Sequence, residues 1–218
     1  ALLMQHAVDG VIWCPIGSQQ PRALKKLVGP VVLIDRPRPG FAVVHSNYEM
    51  GGRLLAQYAL RMGHTRVGLL SGPPGLESAR QRRDGFVKAH PGEIDIAWEV
   101  NVPFDGALTA EAIGCLRRRK GATLIIGGND LIAISAIRCL EEYGATVPEE
   151  VSVTGFDNIR WTDLVRPRLT TIAQPVGAIG ARAVELMLER ITGEEVVAPP
   201  PAVFDVELIE RDSVKRLE

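Results

Sequence analysis

The sequence predicts an α/β fold with doubly wound parallel sheets, and three observations carry that expectation. Short runs of Val, Ile and Leu recur with little polar alternation, as strands covered on both faces require. Helical patterns lie between most of these runs, and strand-helix-strand order places successive strands parallel. Glycines stand where several helices should stop, at Gly63, Gly121, Gly144 and Gly193, each suited to a left-handed cap.

In chain order, ALLMQHAVDG is an apolar, helix-like opening with no capping residue ahead of it, and the first strand is expected at Val11 to Cys14. A helical pattern over 20–28 precedes a second strand at Val31 to Ile34, and a third follows at Val43 to His45. The pattern over 48–62 ends at Gly63 and leads to Val67 to Leu70; that over 77–90 leads to Ala97 to Val100. Helical periodicity over 107–119 ends in the basic run Arg117 to Lys120, which complements the dipole at a helix C-terminus. The strand Leu124 to Ile126, the helix over 130–143, the strand Val151 to Gly155 and the helix over 176–192 complete the series. APPP at 198–201 reads as a stiff extended connector.

With 218 residues and 46% hydrophobic content, the chain can form one large domain or two smaller lobes around packed cores. A net charge of -1 and a pI of about 6.5 supply no basic field for nucleic acid or a membrane surface. Nucleic-acid contact would have to be local, or lie on another segment. Cys14, Cys115 and Cys139 are far apart, which suits a reducing compartment, and the expected location is cytoplasmic. No apolar run approaches the ~18 residues of a membrane span. The chain does not open on Met and is expected to begin in mid-domain.

The stretch LLSGPPGLESARQRR follows a strand as a phosphate-binding loop would, but Glu77, Ser78 and Ala79 stand where glycine, lysine and a hydroxyl are needed. A carboxylate there repels phosphate. No G-x-G-x-x-G follows a strand, and no nucleophile set is apparent. His6, His45, His64 and His90 lack metal spacing, and His64 reads as a helix-end residue. No enzyme activity, cofactor or metal is expected.

Ligands of open α/β sheets bind beyond the carboxyl ends of the strands, and those positions are polar here. They include Ser71, the turn leading to Ser78 and Arg82, Asn101 and Phe104, Asn129 and Asp130, then Phe156, Asp157 and Asn158. The mixture suits a neutral polyhydroxylated or heterocyclic ligand, with Arg as a rigid donor fork and Phe as a stacking face. Plain roles compete. Asn129 or Asp130 can cap the following helix, with one capping and the other facing the cleft. Phe104 can be a core anchor, and spacing does not choose among Arg80, Arg82 and Arg83. Asp157, at a buried strand's end, must be paired or pay for desolvation.

Seven segments in order then carry a family resemblance: VDGVIWCP, PVVLIDR, VHSNYEMGGRLLAQYALRMGHTRVGLLSGP, SARQRRDGF, GGNDLIAISAIRCLEEYGATVPEEVSVTGFDNI, RPRLTTIAQPVGAIGARAVELMLERITG and FDVELIERDS. Over nearly its whole length the chain resembles the effector-binding core of bacterial transcription regulators of the lactose-repressor (LacI/GalR) family. That fold is shared with periplasmic sugar-binding proteins. The resemblance implies a type I periplasmic-binding-protein-like fold of two lobes with three crossings. The first lobe takes 1–46 and 173–201, the second 47–172 and 202–218.

The resemblance implies that Ser78 and Arg82, at the serine and arginine of the family's S-x-x-x-R-x-x-G-[FW] loop, face the effector, together with Asp157, Asn129 and Phe104. On the other lobe it suggests Asp35 and Arg36, Trp13, and Gln174 beside the hinge. An effector bound between the lobes, commonly a sugar and less often a nucleobase, is expected to change their orientation. A homodimer then passes the change to operator DNA. The absence of lysine among these residues favours a neutral ligand, although Arg82 or Arg36 could meet a phosphate. Family members begin with a helix-turn-helix headpiece, a hinge helix and two further strands with their helices, none of which precedes VDGVI here. This chain alone is therefore not expected to bind an operator. A transporter's solute-binding protein shares the fold, but LTTIAQP and FDVELIERDS look more like the regulators.

Overall fold

The computed structural model describes residues 8–15, 29–193 and 200–218. The helix expected over 20–28, residues 1–7 of the apolar opening and the first half of APPP lie outside these residues. The elements are β1 Val11–Trp13, β2 Val31–Ile34, β3 Ala42–Ser46, α1 Tyr48–Arg61, β4 Arg66–Ser71, α2 Glu77–Ala89, β5 Asp95–Asn101 and α3 Ala110–Arg118. There follow β6 Leu124–Gly127, α4 Asp130–Glu142, β7 Ser152–Thr154, a 3₁₀ turn at Arg160–Asp163, β8 Thr171–Ala173, α5 Val176–Ile191, β9 Ala202–Phe204 and β10 Glu207–Ile209.

The chain forms two compact units, Ala1–Asn47 with Pro175–Asp205, and Tyr48–Gln174 with Val206–Glu218. The last division lies after Asp205 rather than after 201, because β9 pairs with β3 and belongs to the first sheet. In the first unit a parallel sheet runs β1-β2-β3-β9. Ile179, Ala183, Leu186 and Met187 of α5 pack on Val32 and Val44. The opposite side of the same strands carries Val31, Leu33 and Val43.

The second unit is built on a parallel sheet in the order β5-β4-β6-β7. Alternation sends Val67, Leu69, Leu124 and Ile126 to one face, where Leu55, Ala56 and Ala59 of α1 and Phe86 of α2 cover them. Leu70 and Ile125 face the other way, toward Leu116 of α3 and Ile132 and Leu140 of α4. Full burial of each such Leu or Ile is worth roughly 1.5–3 kcal/mol.

Helices α1 and α2 meet almost backbone to backbone. A Cβ at Gly52 would lie 2.1 Å from the Arg82 carbonyl oxygen, and one at Gly85 would lie 2.1 Å from that of Glu49. This contact sets Arg82 close to Tyr48 at the start of α1.

The expected caps at Gly63, Gly144 and Gly193 have φ of 83°, 79° and 80°, whereas α3 is capped earlier than expected, by Arg119 at φ 49°, and Gly121 at φ 80° stands beyond it. Helix α3 starts at Ala110 rather than 107, because the Thr109 hydroxyl accepts the Ala112 N–H at 3.2 Å and so fixes the start. Arg117, in its basic last turn, lies 4.6 Å over the Tyr143 ring.

Not foreseen was the antiparallel pair β8 and β10, three residues each and too short to give a periodic signal. The tail beyond β10 continues along β7, where the Lys215 N–H donates to Ser152 Oγ at 3.0 Å and Ser213 Oγ donates to the Val153 carbonyl at 2.6 Å. His64 stands at the helix end as expected but is buried, with Nδ1 2.9 Å from Thr123 Oγ1 and Nε2 3.0 Å from the Lys215 carbonyl oxygen.

Candidate functional site

Because β4 to β7 are parallel, their carboxyl ends and the turns after them share one edge of the second unit's sheet. Arg82, reaching there from α2, is the centre of that edge. Its Nη1 donates to the Gly128 carbonyl at 2.8 Å, and its Nη2 lies 2.9 Å from Asp157 Oδ1. The guanidinium carbon lies 4.0, 4.9 and 5.4 Å from the ring centroids of Phe156, Tyr48 and Phe104. A planar, weakly hydrated cation gains from ring faces while its edge makes hydrogen bonds, which lysine's point charge could not reproduce. Nε is buried and makes no hydrogen bond among the described residues.

The three arginines of ARQRR separate cleanly. Arg80 is exposed and paired with Glu77 and Asp84. Arg83 forks onto Glu99 with two 2.9 Å contacts. Arg82 alone of the three reaches the aromatic cluster.

Asp157 follows Phe156 with φ 116°, a conformation costly for a residue with a side chain. Its N–H donates to the Ile172 carbonyl at 2.8 Å, and its Oδ1 accepts from Gln174 Nε2 at 2.6 Å as well as from Arg82. The partners its position demands are therefore present, and its side chain keeps 25% exposure.

Asn129 caps α4, accepting from the Ile132 N–H at 2.9 Å, while its Nδ2 donates to the Phe104 carbonyl at 2.8 Å. It holds the Phe104 turn in place. Asp130 differs from the expectation that a residue not capping the helix would face the cleft, for it is fully buried. It accepts from Thr171 Oγ1 at 2.5 Å and from the Ile159 N–H at 2.8 Å. Burial first of all, with the Asp157 charge adding to it and the Thr171, Ile159 and Arg82 contacts opposing, lifts its carboxyl to about 7.

Ser78 is buried on α2, one turn before Arg82. Phe104 is half-buried against the second unit's core and close enough to Gly72 that a Cβ there would lie 2.2 Å from its ring. Anchor and ring face are thus both real for this residue. Ser71 donates to Glu99 at 2.7 Å, and both line a groove of about 410 Å³ with Arg83 and Asn101. Asn158 accepts from Arg211 at 2.8 Å.

In the first unit, Asp35 follows β2 with φ 78° and donates its N–H to the Val44 carbonyl at 2.9 Å. Arg36 Nε lies 3.9 Å from the Asp35 carboxylate. Trp13 ends β1 and packs against Val31, Leu33 and Val43. Sequence reasoning missed Tyr48 and the Gly128 carbonyl. Tyr48 joins Arg82 only through the α1–α2 contact, which no local spacing encodes, whereas Gly128 directly precedes Asn129, one of the polar strand-end residues.

Comparison with known proteins agrees with this architecture. The periplasmic binding protein-like domain model matches residues 56–214. The HTH-type transcriptional repressor PurR of Haemophilus influenzae (strain KW20) is 32% identical over 226 residues, covering 99% of this chain and 67% of that protein. The PurR of Aliivibrio fischeri (strain MJ11) is 30% identical, and the chain spans 61% of its length. Among solved structures, a LacI family transcriptional regulator from Enterococcus faecalis with bound ribose has a TM-score of 0.84 at 28% identity, covering 100% of this chain and 81% of that one. On these matches, the chain belongs to the periplasmic binding protein-like domain family, in the form that makes the effector-binding core of LacI-type transcriptional regulators.

Proposed function

We propose that the strand-end edge of the second unit binds a small-molecule effector, and that the whole protein uses this binding to control its grip on operator DNA. The carrying observation is Arg82: a guanidinium set among three aromatic rings, with Asp157 and Gln174 beside it. Phe104, the partly exposed ring of the three, offers an apolar face to a sugar or a heterocycle, while Asp157 accepts from hydroxyls and Arg82 donates. Ser78, Asn129 and Phe104 shape this edge, and Asp35, Arg36 and Trp13 supply further effector contacts from the first unit. The ribose-bound regulator supports a sugar as the leading ligand class, with a nucleobase second. We assign the domain a binding role rather than a catalytic one, in a cytoplasmic homodimer whose DNA contacts come from a helix-turn-helix segment like that named in the PurR relatives. The described residues contain no helix long and apolar enough to cross a membrane.

The test is a thermal-shift screen against sugars, sugar phosphates, polyols and nucleobases, followed by calorimetry of the strongest hit, since a ligand of the native state raises apparent stability. Asp157→Ala should weaken that hit by about 1.5–3 kcal/mol, roughly ten- to a hundredfold. Unchanged affinity in a folded variant would remove Asp157 from the site.

A further inference from the structure

Asp130 is a buried carboxyl group with no capping task. It is the first residue of α4, fully buried, yet Asn129 already caps that helix. Its two oxygens reach elsewhere: Oδ2 takes the Ile159 N–H from the turn after β7, and Oδ1 takes the Thr171 hydroxyl from β8. The backbone has made room for it, because a Cβ at Gly155 would lie 2.2 Å from Oδ1. The turn it grips carries Asp157 and Asn158, both at positive φ, at 116° and 54°. β8 is gripped as well, and it is the strand that receives the Asp157 N–H at Ile172 and leads on to Gln174. Both segments that hold Asp157 beside Arg82 are thus tied to one carboxyl group.

We infer that Asp130 is a positioning residue for the effector site, fixing the Asp157–Ile159 turn and β8 against α4 so that the Asp157 carboxylate is held toward Arg82. The inference rests on the proposed function for the meaning of that site, but not for the geometry. The Asp130 carboxyl is electrostatically coupled to Asp157 and Arg82. As a neutral acid it donates its proton to Thr171 Oγ1 and still accepts the Ile159 N–H; as a carboxylate it accepts from both. Ionisation therefore keeps the tether and adds a second negative charge beside Asp157. With the carboxyl titrating at about 7, this occurs near neutral pH.

The experiment uses ¹⁵N-labelled chain without ligand, as wild type, Asp130→Asn and Asp130→Ala. Asn reproduces both hydrogen bonds of the neutral acid, so the Ile159 amide should exchange with solvent as slowly as in wild type. In Asp130→Ala it should exchange at least tenfold faster. Between pH 5 and 9 the Asp157 and Ile159 amides and the Arg82 Nε–H should follow a common midpoint in wild type and lose it in Asp130→Asn. Equal Ile159 exchange in folded Asp130→Ala, or a titration that persists in Asp130→Asn, would overturn the inference. Should Asp130→Ala not fold, the comparison of Asp130→Asn with wild type still decides. A titration as expected with no hit in the ligand panel would sink the proposed function and leave the positioning role standing.

Discussion

Replacing Arg82 with Met tests what holds the strand-end edge together, because Met fills the space among the rings but removes the charge and the donors. Three contributions are lost. The hydrogen bond to the Gly128 carbonyl comes from a charged donor and is worth about 1.5–3 kcal/mol. The cation over the Phe156 ring, at 4.0 Å, contributes about another 0.5–1 kcal/mol. The ion pair with Asp157 is discounted, because that carboxylate is 25% exposed and keeps Gln174. Relief of the guanidinium's own desolvation and new sulfur–ring contacts offset part of the loss. The net cost should be about 2–3 kcal/mol, which moves a urea midpoint by roughly 1 M for a typical denaturant slope. Urea unfolding followed by tryptophan fluorescence reads it, since Trp98 is buried in the same unit. A shift below about 0.3 M would show that Arg82 is not an organising group of the edge, and the site would have to be rebuilt around other residues.

Two further predictions concern pH. Asp130 has its carboxyl raised to about 7 in the fold, so the native state holds a proton that the unfolded chain releases near 4, and stability falls as pH rises across that window. Asp130→Asn removes this slope of about 1.4 kcal/mol per pH unit, so its stability relative to wild type should climb steadily from about pH 4 to 7 in chemical-denaturation series; a constant difference would contradict the assignment. His64 works in the opposite sense. Burial lowers its pKa below 6.5, partly opposed by its bond to the Lys215 carbonyl, so its contribution is intact above that value and lost as pH falls, when the unfolded chain binds the proton first. His64→Gln should be destabilised at pH 8 yet lose less than wild type on acidification, and parallel curves would refute that.

Much of the fold could be read from the sequence, because buried parallel strands are apolar runs and helix ends are marked by glycine. Gly63, Gly144 and Gly193 take the left-handed backbone at their helix ends, whereas α3 turns left-handed at Arg119, two residues ahead of Gly121. What escaped was made of three-residue pieces: β8, β9 and β10 are too short for a periodic signal and exist through their partners. At the site, Arg82, Asp157, Phe104 and Gln174 fall into one cluster. Asn129 turned out to spend both ends of its amide on the α4 cap and the Phe104 turn. Tyr48 and the tether made by Asp130 were illegible for different reasons. Tyr48 is brought to Arg82 by a helix crossing that depends on Gly52 and Gly85, whereas Asp130 sits at a helix start, where an aspartate ordinarily needs no further explanation.

The central claim is that effector binds where Arg82 and Asp157 meet. The most direct measurement is a ¹H–¹⁵N titration of the labelled protein with the strongest ligand of the panel, following the Arg82 Nε–H and the Asp157 and Asn158 amides. Saturable shifts of these three signals, with the same dissociation constant as calorimetry, are the predicted result. Saturable binding that leaves all three unmoved would place the effector elsewhere and contradict the account.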